Sequence, residues 1–371
     1  MTKNRTIQLN QIQINEILPK LPDISQLDII NDTNKSDSLF LCALGFEERC
    51  LTIPRIYADS NNYSCNEALY FEYLTNRDDN EINRGELEEY LQKFSKIKNP
   101  IPCQTNDFSE SFRQLISRIS LLEKPSITFD ISSCTSQLII TVIKILFEFD
   151  LNLQIVYSEA NVYHPMIEEK DQYISQTAEK DITLTRGVSK IFIDQEFSGC
   201  NIDAQPEALI IFATFTTERT QSIISFIDES LYDNPKERIV WIIGIPHLKE
   251  DQWRMDLQRK INNITESVPS LNISTFNYKE TINDLDKEYQ KLNYKFHLNI
   301  SPLGSKMQSI GIALFNYLHP DVTIVFAPPK EYGSKKYTEG MKNVWKIQFG
   351  ETKKIRELLD KIGILEIKTE S

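Results

Sequence analysis

The two halves of this chain can be laid over each other. LFLCALG (Leu39 to Gly45) runs into FEERC, and ALIIFAT (Ala208 to Thr214) runs into FTTERT, which sets Glu48-Arg49 over Glu218-Arg219 at an offset of 170. ALYFEYL (Ala68 to Leu74) falls over IVWIIGI (Ile239 to Ile245). ITFDISSCTSQL (Ile127 to Leu138) matches FHLNISPLGSKM (Phe296 to Met307) at 169, pairing Asp130 with Asn299, Ser132 with Ser301 and Ser136 with Ser305. LQIVYSEA and VTIVFAPP place Tyr157 over Phe326 at the same offset of 169. TRGVSKIF (Thr185 to Phe192) matches TEGMKNVW (Thr338 to Trp345) at 153, so the first half carries about 16 extra residues within EEKDQYISQTAEKD. An offset held this long, with apolar runs and polar loops in phase, points to an internal duplication.

Within each half, short Val/Ile/Leu/Phe-rich runs alternate with amphipathic stretches such as GELEEYLQKFSKI, DFSESFRQLISRISLLE and DQWRMDLQRKINNITESV. Apolar residues in these stretches recur every three and four positions, the helical period. ALIIFAT and IVWIIGI are apolar almost throughout, which suits parallel strands covered on both faces. The reading is α/β: two tandem, duplicated Rossmann-like units with doubly wound, mainly parallel sheets, forming a pseudo-symmetric pair. IPCQT and LNISTFN are the third strands. At roughly 150 residues per domain, the 371 residues divide as an arm (1–37), repeat one (38–199, with the insertion near 165–182), repeat two (206–350) and a C-terminal helix and tail (351–371). That helix places Ile355, Leu358, Leu359 and Ile362 on one face, expected to dock on the second unit.

The net charge of −12 argues against non-specific coating of nucleic acid, which rests on phosphate neutralisation by Lys and Arg. No run of 18 apolar residues suggests a membrane span, and no apolar segment near the start suggests a secretory leader, so a cytoplasmic protein is expected. The six cysteines show no CxxC and the four histidines lie far apart, so reduced thiols and no metal or cofactor are expected.

In open α/β sheets, ligands bind beyond the carboxyl ends of the strands, where loops and helix starts present backbone N–H groups. The repeated polar motifs fall there. In SPLGSKM, Gly304 permits a tight turn, Ser301 and Ser305 supply hydroxyls, and Lys306 adds a cation, a set suited to phosphate or carboxylate. The same residues fit a capped helix with a solvated lysine. The first-half loop keeps Ser132, Ser133, Thr135 and Ser136 around Cys134, which reads as a nucleophile or a buried small residue. Asp130 can be a base or a ribose-hydroxyl acceptor, and Asn299 opposite it cannot be a base. Glu48-Arg49 and Glu218-Arg219 can bind an anion or pair internally. Tyr163 and its match Tyr332 can stack on a base or cover a sheet edge.

The strand-four ending Asn299-x-Ser301-x-x-Gly304-Ser305-Lys306-Met307, with a polar loop after strand one, resembles that of CARF domains. Two such units in one chain look like SAVED domains, which are tandem CARF-like modules. The resemblance covers two short motifs per half; DISSCTSQ departs from it, and SPLGSK has one glycine fewer than the family's TGGTK. It implies a sensor of cyclic-oligonucleotide second messengers in prokaryotic antiviral defence. With no stretch spare for an attached effector, it implies a stand-alone sensor, a partner of a separately encoded effector, or an enzyme acting on the messenger.

Three functions follow as expectations. The first is a nucleotide or cyclic-oligonucleotide sensor using Glu48, Arg49, Ser132, Ser133, Thr135, Ser136, Arg219, Asn299, Ser301, Gly304, Ser305, Lys306 and Tyr332, and possible as a homo-oligomer. The second is a hydrolase of nucleotides or N-glycosidic bonds with Asp130, Glu47 or Glu159 as base. The third is a structural adaptor subunit of a defence complex. A cleft shared by Lys306, Arg219, Arg49 and Asp130 separates the first two from the third.

Overall fold

A computed structural model of the chain describes residues 14–60, 62–104, 108–175, 184–199, 205–233 and 235–363. The first half supplies five strands, β1 (Ser36–Leu44), β2 (Ser64–Tyr73), β3 (Ser95–Cys103), β4 (Ser126–Asp130) and β5 (Asn152–Ser158). The second supplies β6 (Glu207–Phe212), β7 (Ile239–Ile245), β8 (Ser270–Ser274), β9 (His297–Ser301) and β10 (Thr323–Phe326), and β11 (Val344–Glu351) follows. Both sets are parallel and share one order, β3-β2-β1-β4-β5 and β8-β7-β6-β9-β10, the doubly wound arrangement expected from the repeat. β3 starts at Ser95, inside the stretch expected to be helical, because the preceding helix stops at Phe94. Its Pro100 and Pro102 are tolerated because β3 is a sheet edge.

The outer strands are exchanged. β11 leaves the second half and pairs antiparallel with β5, with Trp345 opposite Tyr157. Phe192–Ile193 leaves the first half and pairs antiparallel with β10, with Phe192 opposite Phe326. These are the same pairing under the offsets of 169 and 153. The two small ladders repeat the relation: Tyr332 faces Thr185, and its equivalent Tyr163 faces Thr338. This explains why the tails match, and it corrects the division at 350, since residues 344–351 complete the first sheet.

Two helices begin after the fourth strands, α2 (Ser136–Glu148) and α4 (Lys306–Leu318); α1 (Arg49–Asp59) and α3 (Thr217–Ile227) follow the first strands. α2 and α4 are apolar nearly all round and pack against each other. Helices of that composition must be buried. Leu138, Val142, Ile310 and Leu314 join Leu41 and Phe129 of one sheet to Ile210 and Ile300 of the other in a single hydrophobic cluster.

The flanks tie the halves together. Ile14, Ile17, Leu18 and Leu21 of the arm enter that cluster, and Ile24–Gln26 pairs with β11. Farther along, the Tyr278 hydroxyl donates to Pro22 O and Lys279 pairs with Asp23 at 2.6 Å. The C-terminal helix α5 (Thr352–Gly363) buries Ile355, Leu359 and Ile362, as its pattern implies. It docks on both units rather than on the second alone: Thr352 and Arg356 donate to Phe149 O, while Asp360 accepts from Tyr317. Of the insertion, Ile167–Glu169 and Lys170–Ile174 form short helical turns, and residues 176–182 lie outside the described residues. The five described cysteines are free and buried. Among the described residues no helix is long and apolar enough to cross a membrane.

Candidate ligand site between the repeats

The carboxyl ends of both sheets face one cavity of about 420 Å³. Its wall takes Glu47 and Arg49 where α1 begins, Thr135 and Ser136 at α2, Thr216 and Arg219 at α3, and Ser305 and Lys306 at α4. Four helix starts around one space give it a positive electrostatic bias. The wall side chains add the cations Arg49, Arg219, Arg254 and Lys306 against the carboxylates Glu47, Glu159 and Asp251.

The two repeated arginines are built alike. Arg49 Nη1 donates to Ser158 O at 3.2 Å, and Arg219 Nε donates to Ala327 O at 2.8 Å. Each therefore ties its helix to the end of the fifth strand. Beyond that tie they diverge. Arg49 Nη2 lies 2.5 Å from Glu47, which also accepts from the Thr338 hydroxyl at 2.5 Å. Burial pushes the Glu47 carboxyl up, but the Arg49 and Lys306 charges and the Thr338 hydroxyl outweigh it and leave it below its usual range. Arg219 meets no carboxylate: its terminal nitrogens have no hydrogen-bond partner among the described residues, and burial lowers its basicity. Its neighbours are Tyr332 and Tyr337, packed edge-to-face at 5.9 Å.

Lys306 reaches across the seam and donates to Cys134 O of the first half at 2.6 Å. No carboxylate lies within 4.0 Å among the described residues, and burial pushes its ammonium down to about 8. Ser305 caps α4: its Oγ accepts from Gln308 N, Gln308 Oε1 accepts from Ser305 N, and its hydroxyl donates to Thr275 O. Gly304 is needed for space rather than for its turn, because a Cβ there would sit 2.3 Å from Gln308 Oε1 and 2.7 Å from Phe212. Thr135 caps α2 by the first of these bonds alone, its hydroxyl accepting from Leu138 N.

The caps correct the repeat's register. Thr135 and Ser305 stand 170 apart, so Ser136 lies over Lys306 and not over Ser305. On the strands, Phe129 faces Leu41 and Ser301 faces the matching Ile211, so the second loop is two residues shorter. Asn299 is therefore not the counterpart of Asp130. It is a strand residue whose amide donates to Glu207 and to Ala208 O, outside the cavity wall. Ser301, also outside, donates to Val325 O.

Other expected residues are placed as follows. Ser133, Thr135, Ser136, Gly304, Ser305, Tyr332, Glu47 and Glu159 join the arginines and Lys306 in the wall. Glu48 is exposed and outside it. Ser132 is fully buried, spanning Ser158 N and Asp130. Asp130 itself is 2% exposed and lies behind the wall, accepting from Ser132 N at 2.9 Å, so it is not available as a base to a ligand in the cavity. Cys134 is buried, and burial raises its thiol well above the usual range, which argues against a nucleophile. Glu159 accepts from Asn343 and from Trp345 Nε1 at 3.0 Å.

Burial raises Asp130 to about 7, only partly opposed by its bonds from Ser132 and by Lys306 and Arg49. An unfolded aspartate titrates near about 4. The native state therefore keeps a proton the unfolded chain has lost, and stability falls as pH rises from about 4 towards 7. Asp130→Asn is expected to raise the melting temperature at pH 8 and to leave it near wild type at pH 4, with ligand affinity intact. Lower melting of the variant at pH 8 would contradict this placement.

Several wall residues carried no local sequence signal. Arg254 pairs with Asp251 at 3.2 Å and donates to Tyr163 O and His164 O. Asn76 grips the backbone N and O of Tyr332, each at 3.0 Å. His247 stacks on Phe276 at 4.2 Å in the wall, with Trp345, outside the wall, packed edge-on to both. Gln137 is 7% exposed, lines the wall, and its enclosed Nε2 has no hydrogen-bond partner among the described residues. Only the pairing of Gln137 within the repeat could have singled it out.

No family model matches the chain, and no curated protein does. Among solved structures it is similar to a universal stress protein from Archaeoglobus fulgidus DSM 4304, at 10% identity over 78% of this chain and 96% of that one, with a TM-score of 0.22. So distant a likeness bears on neither ligand nor activity. The doubly wound, duplicated fold rests on the strand order and on the exchanged pairings.

Proposed function

We propose that this chain is a binding protein for a small phosphate-bearing ligand of the nucleotide class, cyclic oligonucleotides included, held between the repeats. The observation that carries the reading is the pair of cations, Arg219 and Lys306, facing a cavity where four helices begin and having no carboxylate partner among the described residues. Cations drawn partly out of water without counter-charges are costly, and a bound phosphate supplies the missing charge. The aromatic surfaces at Tyr332/Tyr337 and His247/Phe276 offer stacking for a base. Binding without hydrolysis is favoured because Glu47, Glu159 and Asp251 each already hold a partner and Asp130 lies outside the wall. In this reading the protein is a sensor for a separately encoded effector, one of the roles that the resemblance to CARF and SAVED modules implies.

Calorimetric titration with mononucleotides and cyclic oligonucleotides tests the reading, with Lys306→Ala expected to weaken any hit tenfold or more. No binding across that panel, or binding indifferent to Lys306, would end it. A pH series adds a second check. As pH rises from 7 to 9, Lys306 passes through its value of about 8 and loses its charge, so affinity is expected to fall. The stability of the free protein moves the other way: an unfolded lysine titrates near about 10.4, so the unfolded chain binds more protons in that window. Lys306→Arg is expected to flatten the affinity profile.

A further inference from the structure

Duplication would give the cavity two equal ends, but at three matched positions the ends differ. Where the first half has Glu47, two residues before its arginine, the second has Thr217, two before Arg219. Where α2 begins with Ser136 and Gln137, α4 begins with Lys306 and Met307. The first of them decides which of the two arginines is open. At the first end, Arg49 is neutralised by Glu47 at 2.5 Å, and Thr338 of the second half holds that carboxylate in place. Gln137 also lines the first end, its Nε2 enclosed and without a hydrogen-bond partner among the described residues. At the second end, Arg219 meets no acid among the described residues, while Lys306, which starts from that end, carries its ammonium across the seam to Cys134 O of the first half.

We propose that Glu47 is a resident counter-anion filling the first half's copy of the anion subsite, so that the cavity takes a ligand with one anionic group. That group seats at Arg219, with Lys306 in the same wall. The ligand class is nucleoside-monophosphate-like. A two-fold symmetric ring with matched phosphates would set its second phosphate against Glu47. The inference rests on the nucleotide reading above and narrows it.

The test uses three probes on the full-length chain: 5′-mononucleotides, a 3′,3′-cyclic dinucleotide, and inorganic phosphate followed by phosphorus NMR. Wild type is expected to bind a mononucleotide at least tenfold more tightly than the cyclic dinucleotide, and to bind one phosphate. Glu47→Gln frees Arg49, so it is expected to bind a second phosphate and to close the gap between the nucleotides about tenfold. Should that variant fold poorly, Thr217→Glu places a carboxylate near the open arginine. It is expected to lose phosphate as Arg219→Ala does, while melting like wild type.

The outcomes separate the two claims. If nucleotides fail to bind but phosphate shows one site in wild type and two in Glu47→Gln, the nucleotide reading falls and the counter-anion stands. If nucleotides bind but Glu47→Gln gains no phosphate and the cyclic dinucleotide is preferred, the counter-anion is overturned. Equal loss of phosphate in Arg49→Ala and Arg219→Ala would overturn it as well.

Discussion

Replacing Arg219 by alanine is expected to weaken a phosphate-bearing ligand by about 1.5–3 kcal/mol, roughly 10- to 100-fold, the scale of a hydrogen bond to a charged group. The fold should tolerate the change, because among the described residues the hold on this side chain is one hydrogen bond, from Nε to Ala327 O. The equivalent change at Arg49 is expected to act on stability instead. There it would strip the partner from Glu47, which is 7% exposed, and breaking a buried pair costs about 3–5 kcal/mol. Titration calorimetry and thermal melts on both variants check the contrast. A stable Arg49→Ala protein with unchanged melting, or Arg219→Ala protein with unchanged affinity, would contradict this division of roles.

Ending the chain at residue 343 is expected to abolish cooperative folding of the whole protein. The missing segment carries the buried side chains of Val344, Ile347, Phe349, Ile355, Leu359 and Ile362. At about 1.5–3 kcal/mol for each buried side chain, the loss is on the order of 10 kcal/mol as an upper estimate. Domains have only about 5–15 kcal/mol to lose. The truncation also exposes β5 as a new edge and strips Trp345 from Glu159. Circular dichroism and a thermal melt decide it. A truncated chain melting cooperatively within a few degrees of full length would show that the first sheet stands without its exchanged strand.

The architecture was legible because strands buried on both faces leave unbroken apolar runs, and because both copies kept them. The tail match was legible too, but not its meaning: sequence pairing says that Thr185 and Thr338 are equivalent, not that each crosses to the opposite unit. The register after the fourth strands failed for a simple physical reason. Polar loops can shorten by two residues without disturbing either the strand or the cap, so Asn299 fell opposite Asp130 in sequence but not in space. At the site, Arg49 and Arg219 were found from their recurrence beside helix starts, and Lys306 from the Gly-Ser-Lys run before its helix. The role of Glu47 was not, because ion pairing between positions two apart depends on how the chain turns between them. Asp130 looked catalytic because a carboxylate at a strand end is often exposed to ligand, and here the loop folds over it. Gln137 and Arg254 became visible only when distant segments met.

The exchanged edge strands have a consequence for ancestry. A chain of one repeat, ending in its own outer strand, could satisfy that strand only on a second copy, so the unit before duplication would have been an intertwined homodimer. Its ligand pocket would have been obliged to be symmetric, since any residue change appeared twice. Fusion into one chain released that obligation, and the difference between Glu47 and Thr217 is the kind of change that only the fused chain could explore.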